Sequence, residues 1–276
     1  MKKYLIHISP CPNDTYIFDA MLNNKIDTEG IKFNYVLEDI EKLNKSSLNN
    51  IPDICKISYH TYIYISHNYN ILTSGSALGH NVGPILISKK TIKNEEINNI
   101  KIAIPGNYTT ANLLLKLAYG NNLNTQEFLF SKIEDAIIKN KVDAGVIIHE
   151  NRFTFEQKGL KKIVDLGEFW FNKTSLPIPL GGIVIKKNIA LETQKTINRI
   201  IKRSIEYALN SDSISDFVIN NSQEMEKEIV NKHIGLYVNN FSENLDENGQ
   251  KAILMLFEEA YKKNLINKYE KPTFVE

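Results

Sequence analysis

Apolar residues in the first hundred positions fall into short runs of strand length, separated by longer stretches with helical spacing. The runs are Tyr4 to Ile8, Lys32 to Leu37, Ile54 to Ile57, Ile71 to Thr73, Pro84 to Ser88 and Lys101 to Ile104. Such alternation predicts a mainly parallel sheet flanked by helices, because a parallel strand pair needs a connection long enough to hold a helix. A second set follows, with strands at Lys101 to Ile104, Phe128 to Phe130, Gly145 to Ile148 and Ile163 to Leu166 and helices at Thr110 to Tyr119 and Ile133 to Lys141. It reads as a second, smaller α/β lobe. Gly83 to Ser88 and Leu180 to Ile185 share a Gly or Pro entry, an apolar strand and a Lys-Lys ending, and read as two crossings between lobes. The first lobe is then residues 1–88 plus 184–276, closed by helices from Leu191 to Asn264, and the second is residues 89–183. The expected architecture is α/β and two-lobed, the periplasmic-binding-protein-like (type II) layout with a central cleft.

Composition narrows the partners. The 276 residues, 42% of them hydrophobic, are enough for two modest cores. With 33 basic and 32 acidic side chains the formal charge is +1, so nothing electrostatic favours nucleic acid or an anionic membrane. Lys161-Lys162, Lys186-Lys187 and Lys262-Lys263 are pairs, which solvated element ends explain. Apolar runs such as Gly145 to Ile148 are far shorter than the roughly 20 residues of a membrane helix. Met1-Lys2-Lys3 leads into a strand-like stretch too short for a secretory signal. The two cysteines, Cys11 and Cys55, do not stand with histidines at metal-ligand spacing. These features predict a cytoplasmic protein with a small-molecule ligand and no metal; they say nothing of oligomeric state.

The chemistry gathers where strands end. Ser9-Pro10-Cys11-Pro12-Asn13-Asp14-Thr15 follows the first strand and opens a helix, with Asn13 and Asp14 as expected caps. In open α/β sheets, ligands collect at the carboxyl ends of strands, and helix starts favour anions, so Asn13 and Asp14 are candidate ligand contacts. Cys11 lies where a thiolate would be stabilised, but no base is visible near it in sequence, and small-residue packing is expected. Gly106-Asn107-Tyr108-Thr109-Thr110-Ala111 also joins a strand to a helix. One threonine there is explained by capping; two adjacent ones behind a Pro-Gly turn favour binding through Thr109 and Thr110. Lys56 ends a buried strand, so it either faces a cleft or snorkels to the surface. Ser74-Gly75-Ser76 looks like another ligand-facing turn, with Ser76 as the contact.

Of six histidines, His149 ends an apolar strand, where a lone histidine is either a hydrogen-bonded structural residue or a base. Glu150 cannot orient it easily, since adjacent strand residues point to opposite faces; a structural role or a pair with Arg152 is expected instead. His60, His67, His80 and His233 read as surface residues, His80 within the flexible loop Gly79-His80-Asn81-Val82-Gly83, and His7 could face either side.

Several of these strings, taken in order, resemble one family. They are Ser9 to Thr15, Lys56-Ile57-Ser58, Gly75-Ser76-Ala77-Leu78-Gly79, Ile104 to Ala111, Ala144 to Glu150, Arg152-Phe153-Thr154 and Pro179-Leu180-Gly181-Gly182. The match is to the 1,4-dihydroxy-6-naphthoate synthases of the futalosine route to menaquinone. The helical tail after about residue 188 is similar only in general character. The resemblance implies the same two-lobed fold and a carbon–carbon lyase that needs no metal or organic cofactor. It also implies a carboxylated substrate held at Lys56, Ile57, Ser58, Thr109 and Thr110, with His149 as proton acceptor. The alternatives are the related chorismate dehydratase and a small-anion solute-binding protein.

Overall fold

The computed structural model describes residues 2–80, 82–222 and 226–276, apart from the Glu150 side chain. The first lobe begins as β1 (Lys2–Ile8), α1 (Pro12–Leu22), β2 (Ile31–Leu37), α2 (Ile40–Leu48), β3 (Ile54–Ser58), α3 (Tyr59–Ile65), β4 (Tyr69–Leu72) and β5 (Ala77–Gly79). The second lobe follows as β6 (Ile85–Ser88), β7 (Lys101–Ile104), α4 (Thr110–Tyr119), β8 (Asn124–Glu127), α5 (Ile133–Ile138), β9 (Ala144–Ile147), β10 (Lys161–Asp165) and α6 (Leu166–Thr174). The chain returns through β11 (Ile178–Lys186) and ends with α7 (Leu191–Leu209), α8 (Asp216–Asn221), α9 (Lys227–Tyr237), α10 (Asn240–Glu243), α11 (Glu247–Lys262) and β12 (Phe274–Val275). Among the described residues no helix is long and apolar enough to cross a membrane.

The first sheet runs β12-β4-β11-β3-β1-β2, with β5 beside β11; the second runs β10-β6-β9-β7-β8. Both are mixed. The βαβ units give the parallel pairs β1 with β2 and β3, and β7 with β8 and β9. The strands that follow a crossing are antiparallel: β6 to β9 and β10, and β11 to β3, β4 and β5. The expectation of mainly parallel sheets is corrected here, because an apolar run encodes burial and not direction, and a strand arriving from the other lobe enters the opposite way. The crossings also lie earlier than residues 88 and 184. Ile85 already pairs in the second sheet and Ile178 in the first, so each Gly/Pro entry marks the crossing and the apolar run behind it belongs to the lobe it enters.

One expected strand moves. Phe128 to Phe130 is not β8, which is the polar edge segment Asn124–Glu127; Phe130 starts a 3-10 turn and is buried. An edge strand is solvated on one side, so its apolar signal is weak and the neighbouring run is mistaken for it. The tail packs α7, α8 and α9 over α1, and α11 against α3 and β11. One apolar core joins Ile57 and Leu78 of the first lobe to Ile102, Leu113 and Val146 of the second. Each such side chain contributes about 1.5–3 kcal/mol when fully buried, so the lobes meet over a substantial apolar contact. Trp170 is fully buried, and its Nε1 donates to Pro177 O at 3.0 Å, tying the second lobe to the return crossing.

Candidate active site in the interlobe cleft

The carboxyl ends of β1, β3, β7 and β9 converge on a cleft of about 660 Å³ of empty space, measured to its open mouth. Asn13, Asp14, Lys56, Ile57 and Ser58 line it from the first lobe; Thr109, Thr110 and His149 line it from the second. Ser76 does not. Its Oγ is 2.7 Å from Tyr59 OH in the first-lobe core, and the cleft wall is formed by Ala77, since successive strand residues face opposite ways.

His149 follows β9 with φ of 60°, a left-handed conformation uncommon for a residue other than glycine. This turn swings the imidazole out of the strand direction and into the cleft. The ring packs against Phe130 at a centroid distance of 4.6 Å and lies 6.0 Å from the His233 ring. Cys11 Sγ is 3.3 Å from Nδ1 and 3.6 Å from Nε2. Such near-equal distances put the sulfur out of line with either nitrogen's lone pair, so the thiol packs on the ring more than it shares a proton with it. The sequence did not reveal that an imidazole, 138 residues away, lies against Cys11. Burial lowers the His149 pKa to about 4, with Asp14 raising it and Lys56 lowering it. The imidazole is neutral at pH 7, as a proton acceptor must be.

Asp14 and Asn13 do not cap α1. The extended Cys11 is the N-cap, Pro12 occupies the first turn without an N–H to satisfy, and no side-chain capping bond forms. Asp14 Oδ1 instead lies 2.8 Å from Lys56 Nζ, with the side chains 2% and 6% exposed. Lys56 also donates to Gly75 O at 3.3 Å. An ammonium has three N–H donors, and these two partners leave one for a ligand. The chain of contacts continues outward: Asn13 Nδ2 donates to Asp14 Oδ1 at 2.8 Å, and His233 Nε2 donates to Asn13 Oδ1 at 2.8 Å. Asn44 locks Ser58, accepting from its amide at 2.9 Å and donating to its Oγ at 3.1 Å, which leaves the hydroxyl proton available to a ligand.

The threonine hydroxyls make bonds within the protein, contrary to the expectation that they face a ligand. Thr109 Oγ1 donates to Gly106 O at 2.8 Å and accepts from Asn112 N as the cap of α4. Thr110 Oγ1 donates to Leu180 O at 2.7 Å and accepts from His60 N. Both hydroxyl protons are therefore committed. What the turn offers an anion is the Thr110 and Ala111 amides at the start of α4, since the Asn112 amide is taken by the Thr109 cap, and the positive end of the helix.

Two histidines expected at the surface are buried. His60 bonds Thr109 O at 3.2 Å and burial lowers its pKa to about 4; His233 is fully buried beside His149, and burial, with the charges of His149 and Arg152, pushes its pKa well below the usual imidazole value. His67 and His80 are exposed; Asn81 of the His80 loop lies outside the described residues. His7 is buried, within 3.0 Å of Ser46 Oγ. The Glu150 side chain also lies outside them, and Arg152 pairs with Asp165 at 3.5 Å and donates to Gly83 O. His233 and Tyr237, which reach the site from α9, were missed. The signal was present: Val230, His233, Ile234 and Tyr237 form a 3-4 spaced buried stripe.

Two pH effects follow. A base works unprotonated, so the acid limb of kcat/KM is expected near pH 4; a limb at 6.5, where a solvated imidazole titrates, would assign the base elsewhere. The unfolded chain binds protons on His60, His149 and His233 between pH 6.5 and 4 that the native chain refuses. Stability is therefore lost as pH falls through that window, and a urea midpoint that stays flat there would contradict the neutral imidazoles.

Comparison with known proteins agrees with this geometry. A family model described as menaquinone biosynthesis matches residues 5–262. The 1,4-dihydroxy-6-naphthoate synthase of Thermus thermophilus is 34% identical over 276 residues, covering all of both chains. A solved protein from Archaeoglobus fulgidus superposes with a TM-score of 0.90 at 34% identity, over 96% of this chain and 98% of its own. A Candida albicans protein described as having the generic periplasmic binding protein fold superposes at 0.69 with 12% identity, over 98% and 92%, a likeness of fold alone. With one family model spanning nearly its whole length and a full-length relative sharing a third of its residues, this chain belongs to the menaquinone biosynthesis family.

Proposed function

We propose that the protein is a cytoplasmic carbon–carbon lyase that converts cyclic dehypoxanthinyl futalosine to 1,4-dihydroxy-6-naphthoate, with His149 as proton acceptor. The observation that carries this reading is a neutral imidazole facing, across one cleft, a buried lysine and a helix start suited to a carboxylate. Lys56, Ser58 and the Thr110 and Ala111 amides hold the substrate carboxylate, which places the acidic C–H within reach of His149. Loss of that proton lets the carbocycle aromatise as the bond to the sugar-derived fragment breaks. Aromatisation supplies the driving force, and the protein supplies position and exclusion of water by the meeting of the lobes. Asn13 and Asp14 act through Lys56, holding its charge in place.

The test is to incubate the purified protein with cyclic dehypoxanthinyl futalosine and follow naphthoate by absorbance and mass. Formation of 1,4-dihydroxy-6-naphthoate supports the assignment. Dehydration of chorismate without naphthoate formation would move the protein to the sister enzyme, and tight binding with no product would make it a receptor.

A further inference from the structure

Four buried side chains form one hydrogen-bonded line from α9 to the cleft. His233 Nε2 lies 2.8 Å from Asn13 Oδ1, Asn13 Nδ2 lies 2.8 Å from Asp14 Oδ1, and that oxygen lies 2.8 Å from Lys56 Nζ. Asn13, Asp14 and Lys56 line the cleft, whereas His233 stands behind its wall, fully buried. The His233 ring is held between Tyr237, at a centroid distance of 4.7 Å, and His149, at 6.0 Å.

The direction of every bond in the line follows from its cleft end. Lys56 is an ammonium with donors only, so Asp14 beside it is a carboxylate with acceptors only. Asn13 must therefore present its NH2 to Asp14, which turns its carbonyl oxygen towards His233. That oxygen only accepts, so the imidazole carries a proton on Nε2. Burial keeps the ring neutral, so this is its single N–H, and it is spent on Asn13. Asn13 sits in the first turn of α1, where no side-chain capping bond forms, and His233 is what holds the carbonyl end of its amide.

We propose, resting on the reading that Lys56 holds the substrate carboxylate, that His233 is a positioning residue for that lysine. Its Nε2–H fixes the Asn13 amide, the amide fixes the Asp14 carboxylate, and the carboxylate aims the Lys56 ammonium into the cleft.

The role is carried by one donor at one place, which separates it from packing. A glutamine at this position brings an amide N–H to about where Nε2 stands; an asparagine is one carbon shorter and ends near Nδ1, out of reach of Asn13. Both substitutions remove the ring that backs His149, so any packing contribution is common to the two and cancels in their comparison. Without the donor, Asn13 Oδ1 is left buried and unbonded, its amide is free to turn, and Asp14 loses the NH2 that orients it. The substrate carboxylate then meets a lysine that is less well aimed, while His149 keeps its own setting.

The experiment uses the intact protein. Nitrogen-15 NMR of the histidine rings in substrate-free wild type reads the His233 tautomer, and the Lys56 ammonium signal is followed in wild type, His233→Asn and His233→Gln. The Nε2–H form is expected, with the Lys56 signal displaced in His233→Asn and restored in His233→Gln. In turnover assays His233→Asn is expected to have a KM about tenfold above that of His233→Gln, at equal kcat. In a Lys56→Met/Asp14→Asn background the two variants are expected to share one KM, because the line no longer ends on a charge. A proton on Nδ1, a Lys56 signal indifferent to the residue at 233, or a KM difference that survives in that background overturns the proposal. The wild-type tautomer decides even if neither variant folds. The NMR measurements need no substrate, so a protein that forms no naphthoate fails the functional reading alone.

Discussion

Asparagine at position 149 is expected to lower kcat by about 10²- to 10⁴-fold while substrate still binds, the usual range for removing a positioned general base. The amide keeps roughly the size and hydrogen-bonding edge of the imidazole but cannot accept a proton near neutral pH. It also tolerates the left-handed backbone found at this position, so the loss reads chemistry and not folding. Single-turnover kinetics with cyclic dehypoxanthinyl futalosine, together with a substrate-binding isotherm, separate the two. Turnover within tenfold of wild type would sink His149 as the base and turn attention to Cys11, the nearest group able to take a proton.

Lys56→Met carries the largest expected effect on stability. The Lys56–Asp14 pair is almost completely buried, so solvent does not screen it, and removing one partner strands the other charge. Breaking such a pair typically costs about 3–5 kcal/mol, against about 0–1 kcal/mol for an exposed pair such as Lys42–Glu38. Combining Lys56→Met with Asp14→Asn removes both charges and is expected to recover much of the loss, because the stranded carboxylate and not the missing bond is the main cost. Urea unfolding of both single variants and the double variant measures the recovery. A Lys56→Met protein as stable as wild type would mean that Asp14 finds water or another donor, and that the pair is less enclosed than its geometry shows.

The parts legible in the sequence were those set by local geometry. Asn13, Asp14, Thr109, Thr110 and His149 stand at strand ends or helix starts, where local geometry marks candidates for a cleft, and all of them line it; Lys56, left open between cleft and surface, and Ser58 were pointed to it by the resemblance. The parts that were not legible depend on distant partners. Glu41, Asn44, His60 and His233 lie within or at the start of helices, and which face a helix buries is decided by what packs on it, from 14 residues away for Asn44 and Ser58 to 220 for His233 and Asn13. Strand direction in β6 and β11 was hidden for the same reason. The resemblance to the synthases named residues along the wall; it did not name the second layer that holds them.

The order of the strands also sets an order of folding. The second sheet is built from one uninterrupted stretch, β6 to β10, whereas in the first sheet β11 must enter between β3 and β4, which are finished more than a hundred residues earlier. On a ribosome the inserted lobe can therefore fold as a unit while its host waits, its β3 edge open, for the return strand. Tyr237 closes one side of the cleft, and His233 backs His149, only after α9 has arrived, so the surroundings of the cleft are completed late, by a tail whose sequence advertises it least.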